Sequence, residues 1–60
     1  MEPRDFKAIR AYLELSQGDL GAQLGYSTVQ ISKYETGKAE IPAAVKLAMW
    51  WLEHEAQADE

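Results

Sequence analysis

The sequence predicts an all-α domain, a compact bundle of four helices, because apolar residues recur at helical spacing and strand signals are absent. The helical segments are bounded by serine, proline and glycine residues that suit helix ends. The 60 residues give room for one domain, spanning 1–60. A chain of this size buries only about 60% of the surface that its unfolded form exposes.

The first helix is expected to begin near Pro3, because a proline at the first helical position has no N–H group to leave unpaired. Asp5 adds a favourable negative charge to the first turn. Phe6, Ile9 and Leu13 follow at i, i+3 and i+7. This spacing places the three side chains on one face, which we expect to pack into the core.

The next two helices are each predicted to begin at a serine cap and to end at a glycine. The second begins at Ser16 and ends at Gly25, and the third begins at Ser27 and ends at Gly37. The residues that we expect to face the core are Leu20 and Leu24 in the second helix and Ile31 and Tyr34 in the third. Residues 16–36 therefore form two short helices joined by a glycine turn, which is the arrangement of a helix-turn-helix.

The fourth helix is expected to span about residues 42–54, with Pro42 in its first turn and fraying after His54. Val45, Met49 and Leu52 lie at i, i+4 and i+7 and suit the core. Residues 53–60 then form an acidic C-terminal tail with four carboxylates.

The fourth helix carries three further apolar residues, Leu47, Trp50 and Trp51, outside its core-facing stripe. They cannot all be buried within one small chain. Exposed apolar patches mark interfaces, and tryptophan is enriched at interface hot spots. We therefore expect a homodimer through this helix. The alternative is that Trp51 closes the core and that Trp50 is simply exposed.

Residues 15–38, which read LSQGDLGAQLGYSTVQISKYETGK, resemble the helix-turn-helix of the Cro and lambdoid-repressor family, also called the XRE family. The resemblance extends from about Phe6 to Leu52 and implies a lambda-repressor-like fold. Lambdoid repressors also carry a fifth helix, for which this chain has little length. The matching positions, which align without gaps, are Leu15, Ser16, Gln17, Leu20, Leu24, Gly25, Ser27, Ile31, Ser32, Glu35, Gly37, Lys38 and Pro42.

The resemblance implies roles for individual residues in binding double-stranded DNA through the major groove. Base contacts would come from Thr28, Val29, Ser32 and Lys33, and phosphate contacts from Gln17, Ser16, Ser27 and Lys38. Arg10 and Glu35 occupy positions that form a structural ion pair in lambdoid repressors. If Val29 faces the groove, the thymine methyl group is its natural partner, since valine forms no hydrogen bond through its side chain.

Each of these roles has a plainer structural alternative. Lys33 can be a solvated surface lysine, Val29 can turn partly into the protein, and Gln17 can be an ordinary first-turn residue. Gln30 fits a capping box better than it fits a base contact.

The chain also departs from the family pattern at three positions. Glu14 stands where a glycine is common, so it either adopts a strained left-handed backbone or lengthens the first helix. Gly21 replaces the usual alanine, and we expect another helix to cross closely there. Glu40 replaces a residue that is often basic and removes one possible phosphate contact.

Composition excludes several classes of function. There is no cysteine, and the single histidine, His54, cannot build a metal site or a catalytic triad, so we expect no enzyme activity, metal, cofactor or small-molecule ligand. No apolar run approaches the roughly 20 residues of a membrane span and no signal pattern precedes the first helix. We therefore expect a soluble cytoplasmic protein with no membrane partner, associated with the nucleoid when bound to DNA.

The net charge of -4 argues at first against nucleic acid, but the acids are unevenly placed. The last eight residues hold four of the ten acids, whereas Lys33 and Lys38 lie in the expected DNA-binding segment. The favoured function is a dimeric repressor or autorepressor of phage or mobile-element type that acts on an inverted-repeat, palindromic operator. The alternative is a protein-binding adaptor or antitoxin-like module on the same fold, with weak or no DNA binding.

Overall fold

The computed structural model describes residues 1–58, which form four α-helices and no strand. The helices are α1 (Pro3–Tyr12), α2 (Gln17–Leu24), α3 (Thr28–Thr36) and α4 (Ala43–Ala58). This architecture confirms the all-α, four-helix prediction. Asp59 and Glu60, the end of the predicted acidic tail, lie outside the described residues.

Side-chain caps begin the two short helices. The Ser16 hydroxyl oxygen accepts a hydrogen bond from the backbone N–H of Asp19 at 3.0 Å, and the Ser27 hydroxyl oxygen accepts one from the backbone N–H of Gln30 at 3.2 Å. Each cap satisfies one of the N–H groups that a helix start leaves without a partner. The helices therefore begin where their serines predict.

The core lies where α3 packs against α1 and α2, and α4 closes it against α1. The rings of Phe6 and Tyr34 lie 5.7 Å apart in a tilted arrangement at its centre. Ile41 is buried although it belongs to no helix, and helical spacing could not indicate it. The buried apolar residues are Phe6, Leu20, Ile31, Tyr34, Ile41, Val45 and Met49.

Glu14 lies between α1 and α2 in the left-handed region, with φ of 58°. The helix α1 ends at Tyr12 and is not lengthened through this position. The first of the two alternatives for Glu14 is therefore the one observed. A left-handed L-residue costs roughly 1–2 kcal/mol relative to the right-handed region, so the turn stores steric strain.

The helix α4 continues to Ala58, past the end that we expected near His54. Residues 53–58 are mostly glutamate, alanine and glutamine, which have high helix propensity. Ala56 is also half-buried, so this last segment keeps contact with the domain. The first six residues of the predicted tail are thus helical. Within residues 1–58, no helix is long and apolar enough to cross a membrane.

Candidate nucleic-acid interface

The turn between α2 and α3 is held by backbone contacts around Gly21. The N–H of Tyr26 donates to the carbonyl oxygen of Gly21 at 2.8 Å, and Gly25 takes the left-handed conformation that ends α2. A Cβ atom on Gly21 would lie only 2.4 Å from the carbonyl oxygen of Tyr26. The tightest contact comes from the turn itself, and Ile31 of α3 also packs there, with its Cγ1 atom 3.5 Å from the same Cβ position.

One face of α3 is open to solvent and carries the residues expected to contact bases. Thr28 and Lys33 are exposed, Ser32 is half-buried, and Val29 is 64% exposed. The structure therefore directs Val29 away from the core, which removes the alternative that it packs into the protein. The side chains of this face can reach a ligand without any rearrangement of the fold.

These residues line one shallow concavity of about 390 Å³. It combines the four expected base-contacting residues with two of the expected phosphate contacts, from α2 and from the segment after α3. The sequence did not indicate Thr36, although its helical spacing from Ser32 places it on the same face. The lining residues are Gln17, Thr28, Val29, Ser32, Lys33, Thr36 and Lys38.

Ser16 and Ser27 do not line this concavity but cap the helices at its edge. Each hydroxyl oxygen already accepts a backbone hydrogen bond, and a hydroxyl also carries one hydrogen that can be donated. Both serines are exposed. Both can therefore offer that hydrogen to an anion without loss of the cap.

A cluster of Arg10, Gln17 and Glu35 fixes the helices behind the concavity. Arg10 donates from Nε to Oε2 of Glu35 at 2.5 Å and from Nη2 to Oε1 at 3.1 Å. Gln17 donates from Nε2 to the same Oε1 at 3.2 Å. Arg10 also donates to the carbonyl oxygen of Leu15 at 2.8 Å. The carboxylate of α3 thereby holds α1 and the start of α2, and Arg10 holds the loop between them.

The cluster is shielded from water, since the side chain of Glu35 is 4% exposed and that of Arg10 is 17% exposed. Burial alone raises the pKa of Glu35, but the hydrogen bonds from Arg10 and Gln17, together with the positive charges of Arg10 and Lys7, lower it by more, so this pKa lies below its ordinary value. The hydrogen bond to Glu35 raises the pKa of Arg10. Both groups are therefore charged at neutral pH, and the carboxylate is neutralised locally.

The three outward apolar residues of α4 fall on two different surfaces. Leu47 and Trp51, 67% and 61% exposed, line an apolar groove of about 490 Å³ between α4 and the end of α2. Trp50 does not line it and stacks on His54, with ring centroids 4.1 Å apart. The structure therefore brings Leu47 and Trp51 together and separates Trp50 from the groove. The groove's other lining residues are Gln23, Leu24, Ala44, Ala48 and Leu52.

Comparison with known families agrees with this geometry. A family model described as a helix-turn-helix domain matches residues 4–49. The chain belongs to this family. The match covers most of the chain, and it includes the whole helix-turn-helix, α1 except its first residue, and the first part of α4. The helix-turn-helix family is a DNA-binding one. No curated protein and no solved structure matches the chain.

Proposed function

We propose that this helix-turn-helix domain is a sequence-specific regulator that binds double-stranded DNA by placing the exposed face of α3 in the major groove. The supporting observation is the concavity that gathers Gln17, Thr28, Val29, Lys33 and Lys38 on one face. A major groove is about 12 Å wide and admits one α-helix, whose first turns meet base edges. No compensating acid neutralises Lys33 or Lys38 in this lining, since all its other members are uncharged.

The regulator acts as a dimeric repressor on an inverted repeat, of the Cro and lambdoid-repressor type that its sequence resembles. One helix of this length reads only a few base pairs, and a two-fold dimer doubles the contacts. Leu47 and Trp51 supply the interface, because a large apolar patch exposed beside an apolar groove favours burial against a second copy. Trp50 lies at the edge of that interface. Occlusion of a promoter is then sufficient for repression.

A protein-binding adaptor on the same fold is the second candidate, and the net charge of -4 and the exposed Glu40 favour it. The two candidates differ in their response to salt. Binding to DNA weakens with salt because counterions are released from phosphates, with a log–log slope near -0.9 for each neutralised phosphate. An adaptor without DNA affinity enriches no duplex at any salt concentration.

Selection of duplexes from a random library at low salt tests the proposed function. We expect the wild-type protein to enrich a family of related sequences with two-fold symmetry. The Lys33→Ala variant should enrich a different or less defined family, whereas Lys46→Ala, which removes the same charge from α4, should select the wild-type family. Absence of any enriched duplex for the wild-type protein would refute DNA recognition.

A further inference from the structure

Val29 is an apolar side chain at the second position of α3, and it lies in a concavity whose other residues are polar. It is 64% exposed. Among residues 1–58, the other large apolar residues with more than half of their surface exposed, Leu47, Trp50 and Trp51, all lie on α4. Val29 therefore gains free energy in a complex only if the partner presents an apolar group at this point.

The major groove offers one apolar group, the methyl group at C5 of thymine. The same methyl group lies in the same place on 5-methylcytosine. The two bases differ at the neighbouring C4 position, where thymine presents the O4 acceptor and cytosine presents the N4 amino donor. A valine side chain can neither donate nor accept a hydrogen bond, so it cannot distinguish these two groups.

We infer that Val29 recognises the C5 methyl group of a pyrimidine rather than the base itself, so that 5-methylcytosine can replace thymine at this position of the operator. The inference rests on the proposed function and adds a form of regulation to it. Methylation of a cytosine at this position would strengthen binding, and demethylation would weaken it. The domain would thus respond to cytosine methylation through a single apolar contact.

The position of this pyrimidine within the site follows from the spacing of α3. Val29 and Lys33 are four residues apart, which is about 6 Å along a helix that rises 1.5 Å per residue. Base pairs are stacked about 3.4 Å apart, and guanine is the base to which lysine donates in the major groove. The methylated pyrimidine is therefore expected within about two base pairs of a guanine contacted by Lys33.

The experiment starts from the duplex that selection enriches and places thymine, uracil, cytosine or 5-methylcytosine at each pyrimidine position in turn. At one position per half-site, we expect duplexes with uracil or cytosine to bind the protein about fourfold more weakly than the duplex with thymine. This is the effect of burying one methyl group, and 5-methylcytosine should restore most of the affinity. In Val29→Ala, the preference for the methyl group should disappear. In the matched control Thr28→Ser, which removes a methyl group from the neighbouring residue and keeps its hydroxyl, the preference should remain. Circular dichroism spectra of both variants establish that the fold is retained.

Three results would overturn the inference. If all four pyrimidines bind equally at every position while the selected duplex still binds, the methyl readout is absent although DNA recognition stands. If Thr28→Ser abolishes the preference and Val29→Ala keeps it, the contact belongs to another residue. If no duplex is enriched at all, the proposed function fails and this inference fails with it.

Discussion

The guanidinium group of Arg10 donates two hydrogen bonds to the carboxylate of Glu35, which lies 25 residues further along the chain. This fork joins α1 to α3, and Gln17 completes it from the first position of α2. Gln17 also lines the concavity proposed to meet DNA. The ion pair therefore sets the position of a residue in the proposed interface as well as the packing of three helices.

Acid should weaken the fold through Glu35. Because its pKa is lowered in the folded state, folding favours the charged carboxylate, and the resulting stabilisation is present at neutral pH. This stabilisation is lost as the pH falls below about 4.3, the ordinary glutamate pKa, and through the lower pKa of the folded state. At pH 7, Glu35→Gln should lower the free energy of unfolding by about 1.5–3 kcal/mol, the range for hydrogen bonds to charged groups. Urea unfolding at pH 7 and pH 3 measures the difference, which should shrink at pH 3. Glu40→Gln, at an exposed position, is the control. A deficit of the same size at both pH values would contradict this account.

Gly21→Ala should destabilise the domain by about 1–3 kcal/mol, the usual cost of forcing an extra carbon into a packed site. The new Cβ would lie 2.4 Å from the backbone oxygen of Tyr26, so the turn between α2 and α3 would have to move. Gly18→Ala is the matched control in the same helix. Its Cβ would meet no atom closer than 3.5 Å, and it should gain up to about 1 kcal/mol from helix propensity. Thermal unfolding of the two variants measures both effects, and equal melting temperatures would be incompatible with the contact.

Glu14→Gly should stabilise the domain, because glycine adopts a φ of 58° without steric cost. The relief of roughly 1–2 kcal/mol is partly offset by about 0.4–1 kcal/mol of added freedom in the unfolded chain, so a net gain of about 0.5–1 kcal/mol is expected. Glu14→Ala removes the same charge but keeps the strain, and it should show no such gain. The interpretation fails if urea unfolding ranks the alanine variant as the more stable of the two.

Lys38→Ala should weaken binding to all duplexes about equally, because a phosphate contact carries no sequence information. The log–log slope of affinity against salt should become shallower by about 0.9 for each phosphate contact removed, or about 1.8 for a dimer. Fluorescence anisotropy at several salt concentrations measures the slope. Lys46→Ala, which lies outside the concavity, should leave it unchanged. A slope that Lys38→Ala does not alter would remove this residue from the interface.

Trp51→Glu should convert the proposed dimer to monomers at micromolar concentration, because truncated interface hot spots cost about 2 kcal/mol or more, equivalent to roughly thirtyfold in affinity. Trp50→Glu should have a smaller effect, since Trp50 stacks on His54 and lies outside the groove. Sedimentation velocity gives the mass of each variant. A dimer that survives Trp51→Glu but is broken by Trp50→Glu would place the interface on the other side of α4.

Local signals predicted most of this fold. Serine caps and glycine ends located α2 and α3, because hydrogen bonds and backbone conformations at helix ends depend on a few neighbouring residues. These helix ends need no knowledge of the rest of the molecule. Glu14 is indicated differently, by the resemblance to the lambdoid-repressor family, in which a glycine is common at this position.

The remaining features depend on contacts between distant segments. The crowding at Gly21 comes from the path of the turn, and the burial of Ile41 comes from how the loop before α4 folds back. The separation of Trp50 from Trp51 depends on where the end of α2 lies, and the helical spacing within α4 cannot reveal it. Helical spacing also could not show that Ser32 and Thr36 share a concavity with residues from outside α3.

Amide chemical-shift mapping with the selected duplex tests most directly whether the concavity on α3 is the surface that binds DNA. We expect the largest shifts on residues 16–18 and 27–38, and no effect of DNA on the outer face of α4 around Trp51. Binding that shifts only the α4 face, with residues 27–38 unchanged, would contradict this assignment.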